Sequence, residues 1–165
     1  MKGQWVGRAW VNLIESEQEE EILAAAQEEW PEVEFEVALD SGSVVHVCAD
    51  ADTLGYLLQE SPGSRRGQQF IMGDGGKLAN AGQKVLKLAN TELGTEISST
   101  FQIANVTRPL MSVGKICDEG MTVTFSKTCA VVSDKDGRVV CKFERQQGGL
   151  YIAKMRLKSP GFIRQ

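Results

Sequence analysis

Val33, Phe35 and Val37 alternate with Glu34 and Glu36, the period-two pattern of a strand with one buried face. The same texture continues downstream: short segments rich in Val, Ile, Thr and Phe, separated by glycine-bearing turns. It predicts strands over 32–39, 44–48, 68–72, 81–88, 97–106, 121–125, 129–133, 138–143 and 150–154. Upstream the period changes. Ser16-Glu17-Gln18-Glu19 has capping-box spacing, and Ile22, Leu23, Ala26 and Trp30 recur at helical intervals until Pro31, predicting an amphipathic helix over 16–29. Two shorter helices are expected, one over 50–59 carrying Leu54, Leu57 and Leu58, and one over 112–119 closed by Gly120. Residues 5–11 alternate weakly and read as a strand or a disordered arm, while 61–67 have the composition of a loop.

At 165 residues the chain has room for one domain with a substantial core and an appendage. No apolar run reaches membrane-spanning length and the N-terminus lacks the apolar stretch of a secretory signal, so the expected location is intracellular. Cys48, Cys117, Cys129 and Cys141 form no CxxC pair and read as free, mostly buried thiols. The net charge of −4 is unevenly spread: residues 1–36 hold ten glutamates against Lys2 and Arg8, and residues 137–165 hold seven bases against Glu144. The basic segment lacks the interleaved aromatics of a nucleic-acid reader, so it reads as a solvated face.

Asp40-Ser41-Gly42 ends the alternating segment and occurs once. A carboxylate, a hydroxyl and a glycine at a strand tip are what an aspartic peptidase needs. One carboxylate cannot act as both general acid and general base, whereas two close together share a proton and divide those roles. With no internal repeat, the second carboxylate must come from another chain, and a homodimer is expected. Asp-Ser-Gly also initiates many ordinary turns, so the triplet takes its meaning from its surroundings.

Those surroundings carry a resemblance. The run from Ala38 through Asp40-Ser41-Gly42 to His46-Val47 resembles the active-site segment of retropepsin-like proteases, most closely those of copia-type LTR retrotransposon polyproteins. Residues 107–125, from Thr107-Arg108-Pro109-Leu110-Met111-Ser112-Val113 to Phe125, are similar to a second segment of that family, and the likeness extends through Asp136-Gly137-Arg138 and Gly148-Gly149-Leu150-Tyr151. The resemblance implies a mainly β, retropepsin-like closed barrel, here with an extra N-terminal helix, and a site formed at a homodimer interface beneath two flaps. It implies Asp40 as the catalytic residue with Ser41 and Gly42 supporting its loop. Gly73, Asp74, Gly75 and Gly76 would form the flap, and Leu110, Met111 and Ser112 would pack beneath the catalytic loop. The implied substrate is an extended peptide of a retroelement polyprotein, cleaved in the cytoplasm or within retroelement particles without metal or cofactor.

Two positions depart from the family pattern. Ser43 replaces the usual alanine, and Val44 stands where retroviral enzymes place an acid that pairs with an arginine. The expected organisation is an extension over 1–30, a protease core over 31–126, and a C-terminal β extension with a basic tail over 127–165. The extension reads as a polyprotein linker, a cap or a partner surface. His46 and Cys48 form an HxC pair on one strand face; a zinc site needs about four ligands, so His46 is read as a core histidine. The alternative function is a retropepsin-fold module that binds or assembles without cleaving.

Overall fold

The computed structural model describes residues 3–6, 9–12 and 33–160. Strands β1 (Gly3–Val6) and β2 (Ala9–Asn12) pair antiparallel in one unit of the chain, so the described residues of 5–11 are strand. The helix expected over 16–29 lies outside the described residues. A second unit spans Val33–Lys158. Its strands are β3 (Val33–Asp40), β4 (Val47–Cys48), β5 (Gln69–Ile71), β6 (Lys77–Ala79), β7 (Gly82–Asn90), β8 (Thr95–Ile103) and β9 (Leu110–Ser112). They continue as β10 (Thr122–Phe125), β11 (Cys129–Ser133), β12 (Val139–Arg145) and β13 (Tyr151–Leu157), with short helices α1 (Pro62–Arg65) and α2 (Val113–Asp118) between.

Six strands close a barrel in the order β13-β3-β9-β4-β8-β7, with β7 pairing back to β13. The alternation read from sequence is what seals it. Phe35, Val37 and Leu39 of β3 point inward with Leu86, Leu88, Phe101, Met155 and Leu157, and Phe35 meets Phe101 edge to face at 5.7 Å. Outside, Glu36 lies opposite Lys154 and Glu34 opposite Arg156. Slipping the register by one residue would bury these charges and expose the apolar face. Strands β10–β12 extend antiparallel from β13 as a meander. Of the C-terminal β extension expected over 127–165, β11 and β12 belong to this meander, and β13 lies in the barrel wall between β3 and β7.

Two helix expectations change. Over 50–59 only a single 3-10 turn forms, Asp50–Thr53. Gly55 adopts φ 92° and Leu54, Leu57 and Leu58 stay exposed, so the leucine face finds nothing to cover and supports no longer helix. The turn is tied to the barrel by Lys84 of β7, whose side chain is 2% exposed and whose Nζ reaches Asp50 Oδ1 at 2.7 Å. The same ammonium donates to the Thr53 carbonyl and hydroxyl, each at 3.0 Å. Within 61–67, expected to be a loop, α1 forms a capping box: Ser61 Oγ accepts from Ser64 N and Ser64 Oγ accepts from Ser61 N. The helix expected over 112–119 is present as α2, with Ser112 as N-cap and Gly120 at φ 86° just beyond its end.

Candidate active site

Asp40 is the last residue of β3, at the point where the strand leaves the barrel. β9 runs parallel to β3, placing Leu110 beside Ala38, Met111 beside Leu39 and Ser112 beside Asp40. The three residues expected beneath the catalytic loop are therefore the strand that abuts it. Asp40 is half-buried, and its Oδ1 accepts the Gly42 N–H at 2.8 Å, an Asx turn that aims the carboxylate across its own loop. Gly42 does not adopt a left-handed φ; a Cβ there would sit 3.3 Å from Asp40 Oδ1, so the glycine keeps the turn uncrowded.

Ser112 fastens this loop from behind. Its hydroxyl donates to the Ser43 carbonyl at 2.6 Å and accepts the Lys115 N–H at 3.1 Å, capping α2. Its backbone N–H donates to His46 Nδ1 at 2.9 Å. Loop and cap thus share one buried side chain. His46, 5% exposed, stacks on Phe101 at 5.2 Å. Burial, aided by the nearby Lys115 cation, lowers its pKa to about 4, so the ring is neutral at pH 7 and Nδ1 is free to accept.

Over the loop stands the hairpin β5–β6, with Phe70 opposite Leu78. Its tip is tied internally: Met72 N–H donates to Gly76 O at 2.8 Å, Gly75 N–H to Met72 O at 2.9 Å, and Gly76 N–H to Asp74 Oδ1 at 2.8 Å. Gly75 takes φ 87° with nothing near its Cβ position, which is the freedom a glycine supplies at a tight tip. Phe70, Met72 and Leu78 rest with Leu110 on a buried cluster of Val47, Ala104 and Val106. A cleft of about 340 Å³ lies between hairpin and loop, lined by Asp40, Gly42, Val44, Phe70, Ile71 and Gly73 among others. The hairpin's base is anchored by Asn80, whose Nδ2 donates to Gln68 at 3.2 Å and Gln102 at 2.9 Å while its Oδ1 accepts the Gly82 N–H at 2.9 Å.

The structure thus brings Asp40, Gly42, Gly73 and Leu110 to one cleft, with Met111 and Ser112 directly behind. Asp74, Gly75 and Gly76 form the exposed outer side of the tip. Ser41 is exposed and makes no hydrogen bond among the described residues. Within the chain Ser43 and Ser112 hold the loop, and Val44 projects beside it at 72% exposure. The cysteines are free, with Cys48 and Cys141 buried and Cys117 exposed; burial pushes their thiols up to about 12 for Cys48 and about 11 for Cys141, leaving them un-ionised. What sequence reasoning missed is the tether from His46 to Ser112. The signal available was a lone histidine three residues past Ser43, reading out toward a serine that also caps a helix. No family model, curated protein or solved structure matches the chain. Among the described residues no helix is long and apolar enough to cross a membrane.

Proposed function

We propose that the chain is a homodimeric aspartic endopeptidase of retropepsin type that cleaves extended peptide segments of a retroelement polyprotein. The observation that carries this reading is the cleft itself: Asp40 at its floor, a glycine-tipped hairpin as its roof, and apolar Val44, Phe70 and Leu110 between them. Such walls suit an extended peptide with apolar side chains, and the hairpin's backbone offers strand-like pairing to it. Two copies would bring two Asp40 carboxylates together, sharing one proton. The ionised partner removes a proton from water as that water attacks the scissile carbonyl, and the protonated partner donates to the carbonyl oxygen. Collapse of the tetrahedral adduct then expels the amine, which takes the proton that the first carboxylate removed from water as the C–N bond breaks, while a hydroxyl of the adduct returns its proton to the second carboxylate. Closure of the hairpin would exclude bulk water.

Asp40→Asn discriminates well, because the amide keeps an Oδ1 that accepts from Gly42 N–H and so preserves the turn. Cleavage of a peptide library by the parent and none by the variant, with unchanged thermal unfolding, is the expected result. Equal cleavage by both would refute the reading. A second reading, a non-cleaving binding module of the same architecture, draws on the bond from Gly42 N–H to Asp40 Oδ1, which an ordinary turn would also make. A protein that stays monomeric in sedimentation at micromolar concentration and cleaves nothing would favour it.

A further inference from the structure

On the far side of β9 from Asp40 lie two adjoining recesses that share His46, Ser98 and Glu119. The first, about 190 Å³, lies between the barrel and the β10–β12 meander, and its walls are largely apolar: Met111, Ile116, Met121, Val132, Val140 and Phe143. The second, about 300 Å³, is polar and is lined by Gln83, Thr100, Gln102 and Lys115. A dry void of ~150 Å³ already holds one benzene ring, so the first recess is sized for a ring or a short alkyl chain.

His46 stands at the junction with one half of its hydrogen-bonding capacity unused. Nδ1 accepts the Ser112 N–H, which puts the ring proton on Nε2. That N–H has no acceptor among the described residues, although the residue is only 5% exposed. A buried donor left unpaired is costly. The ionisable groups around it are Lys115 and Glu119 at the polar side and Cys141 at the apolar side. Of these, Lys115 is the charge that His46 feels. A donor N–H and a nearby ammonium, with an apolar void adjoining, specify an acceptor bearing one negative charge on an apolar body. The Glu119 carboxylate at the shared rim disfavours a doubly charged head.

We propose that the two recesses form one binding site for a small monocarboxylate with an apolar body, the body behind β9 and the carboxylate on His46 Nε2–H and Lys115. This site is separate from the Asp40 cleft, and its occupancy does not depend on whether Asp40 hydrolyses anything.

The chain has a single histidine, so one imidazole signal reports the site directly by NMR. Phenylacetate is the probe, with benzene as body alone and acetate as head alone, titrated into the full chain near pH 7.5. Phenylacetate is expected to shift the imidazole signals saturably, benzene to saturate at higher concentration, and acetate to give no saturable shift. Lys115→Met, on the exposed side of α2, should weaken phenylacetate by ~10-fold, or ~1.4 kcal/mol, and leave benzene unchanged. Val140→Trp, which fills the apolar recess, should abolish both. No saturable shift with phenylacetate, saturation by acetate at equal concentration, or undiminished affinity in Lys115→Met would each overturn the assignment.

Discussion

Ser112 N–H donates to His46 Nδ1 across 2.9 Å inside the protein, a bond that exists only while the imidazole is neutral. Its consequence is a pH dependence with a definite sign. The folded-state pKa is lowered from 6.5 to about 4, so the unfolded chain binds a proton more readily. The stabilisation is full above pH 6.5 and is lost as pH falls through that window toward 4. Urea unfolding at pH 7 and pH 4.5 should differ by up to about 3 kcal/mol more in the parent than in His46→Phe, in which this titration is absent. The difference between the two proteins isolates His46 from the carboxylates that also titrate in that range.

Removing the Ser112 hydroxyl should act on both its partners. Ser112→Ala leaves the Ser43 carbonyl without its donor and α2 without its cap. A loss of about 2–3 kcal/mol is expected in chemical denaturation. Exchange protection should fall together at residues 43–46 and at Lys115, and protection falling at only one of them would contradict the shared-serine account.

Lys84 poses a different balance. Its ammonium is buried, while its carboxylate partner Asp50 is 58% exposed, so Asp50 regains water when the lysine is lost. Lys84→Met keeps the volume of the stem and should cost about 1–2 kcal/mol; Lys84→Ala adds a void and should cost about 2–4 kcal/mol. Melting of the two variants side by side checks the order, and an alanine variant as stable as the methionine variant would show the site collapses.

Two glycines near the hairpin should respond unequally to alanine. At Gly82, φ is 137° and a Cβ would fall 2.4 Å from the Gln59 carbonyl oxygen, which is backbone and cannot swing aside. Gly75, at φ 87°, has open space around it. Gly75→Ala should cost about 1 kcal/mol from backbone strain alone, and Gly82→Ala at least about 2 kcal/mol more from the added clash. Parallel urea titrations test the difference.

The strands most legible in the sequence were those with one wet face. β3 and β7 lie close to their expected places because Glu34, Glu36 and Lys87 mark the outside, and β11 does so on its run of β-branched valines alone. β9 was not read as a strand, since Leu110-Met111-Ser112 is buried along most of its length and a three-residue segment has no period to read. The helix over 50–59 failed for the opposite reason: its leucines have helical spacing but no surface to cover, and Gly55 turns the chain. For the site, the sequence marked Asp40 and the glycine tip. It could not show that they face one cleft, which depends on strand pairings made at long range, nor that Ser112 and His46 brace the loop.

The strand that carries Asp40 has neighbours at 110–112 on one side and 152–157 on the other. Both lie far down the chain, so little local structure can hold β3 in place early in folding. Long-range pairing, parallel with 110–112 and antiparallel with 152–157, is slow, because loop closure must come before any contact compensates for it. During synthesis, the Asp40 loop would therefore be among the last parts of the barrel to take shape, completed only when the strand at 151–157 inserts between β3 and β7. The Asp40 end of the barrel is thus timed by its last strand.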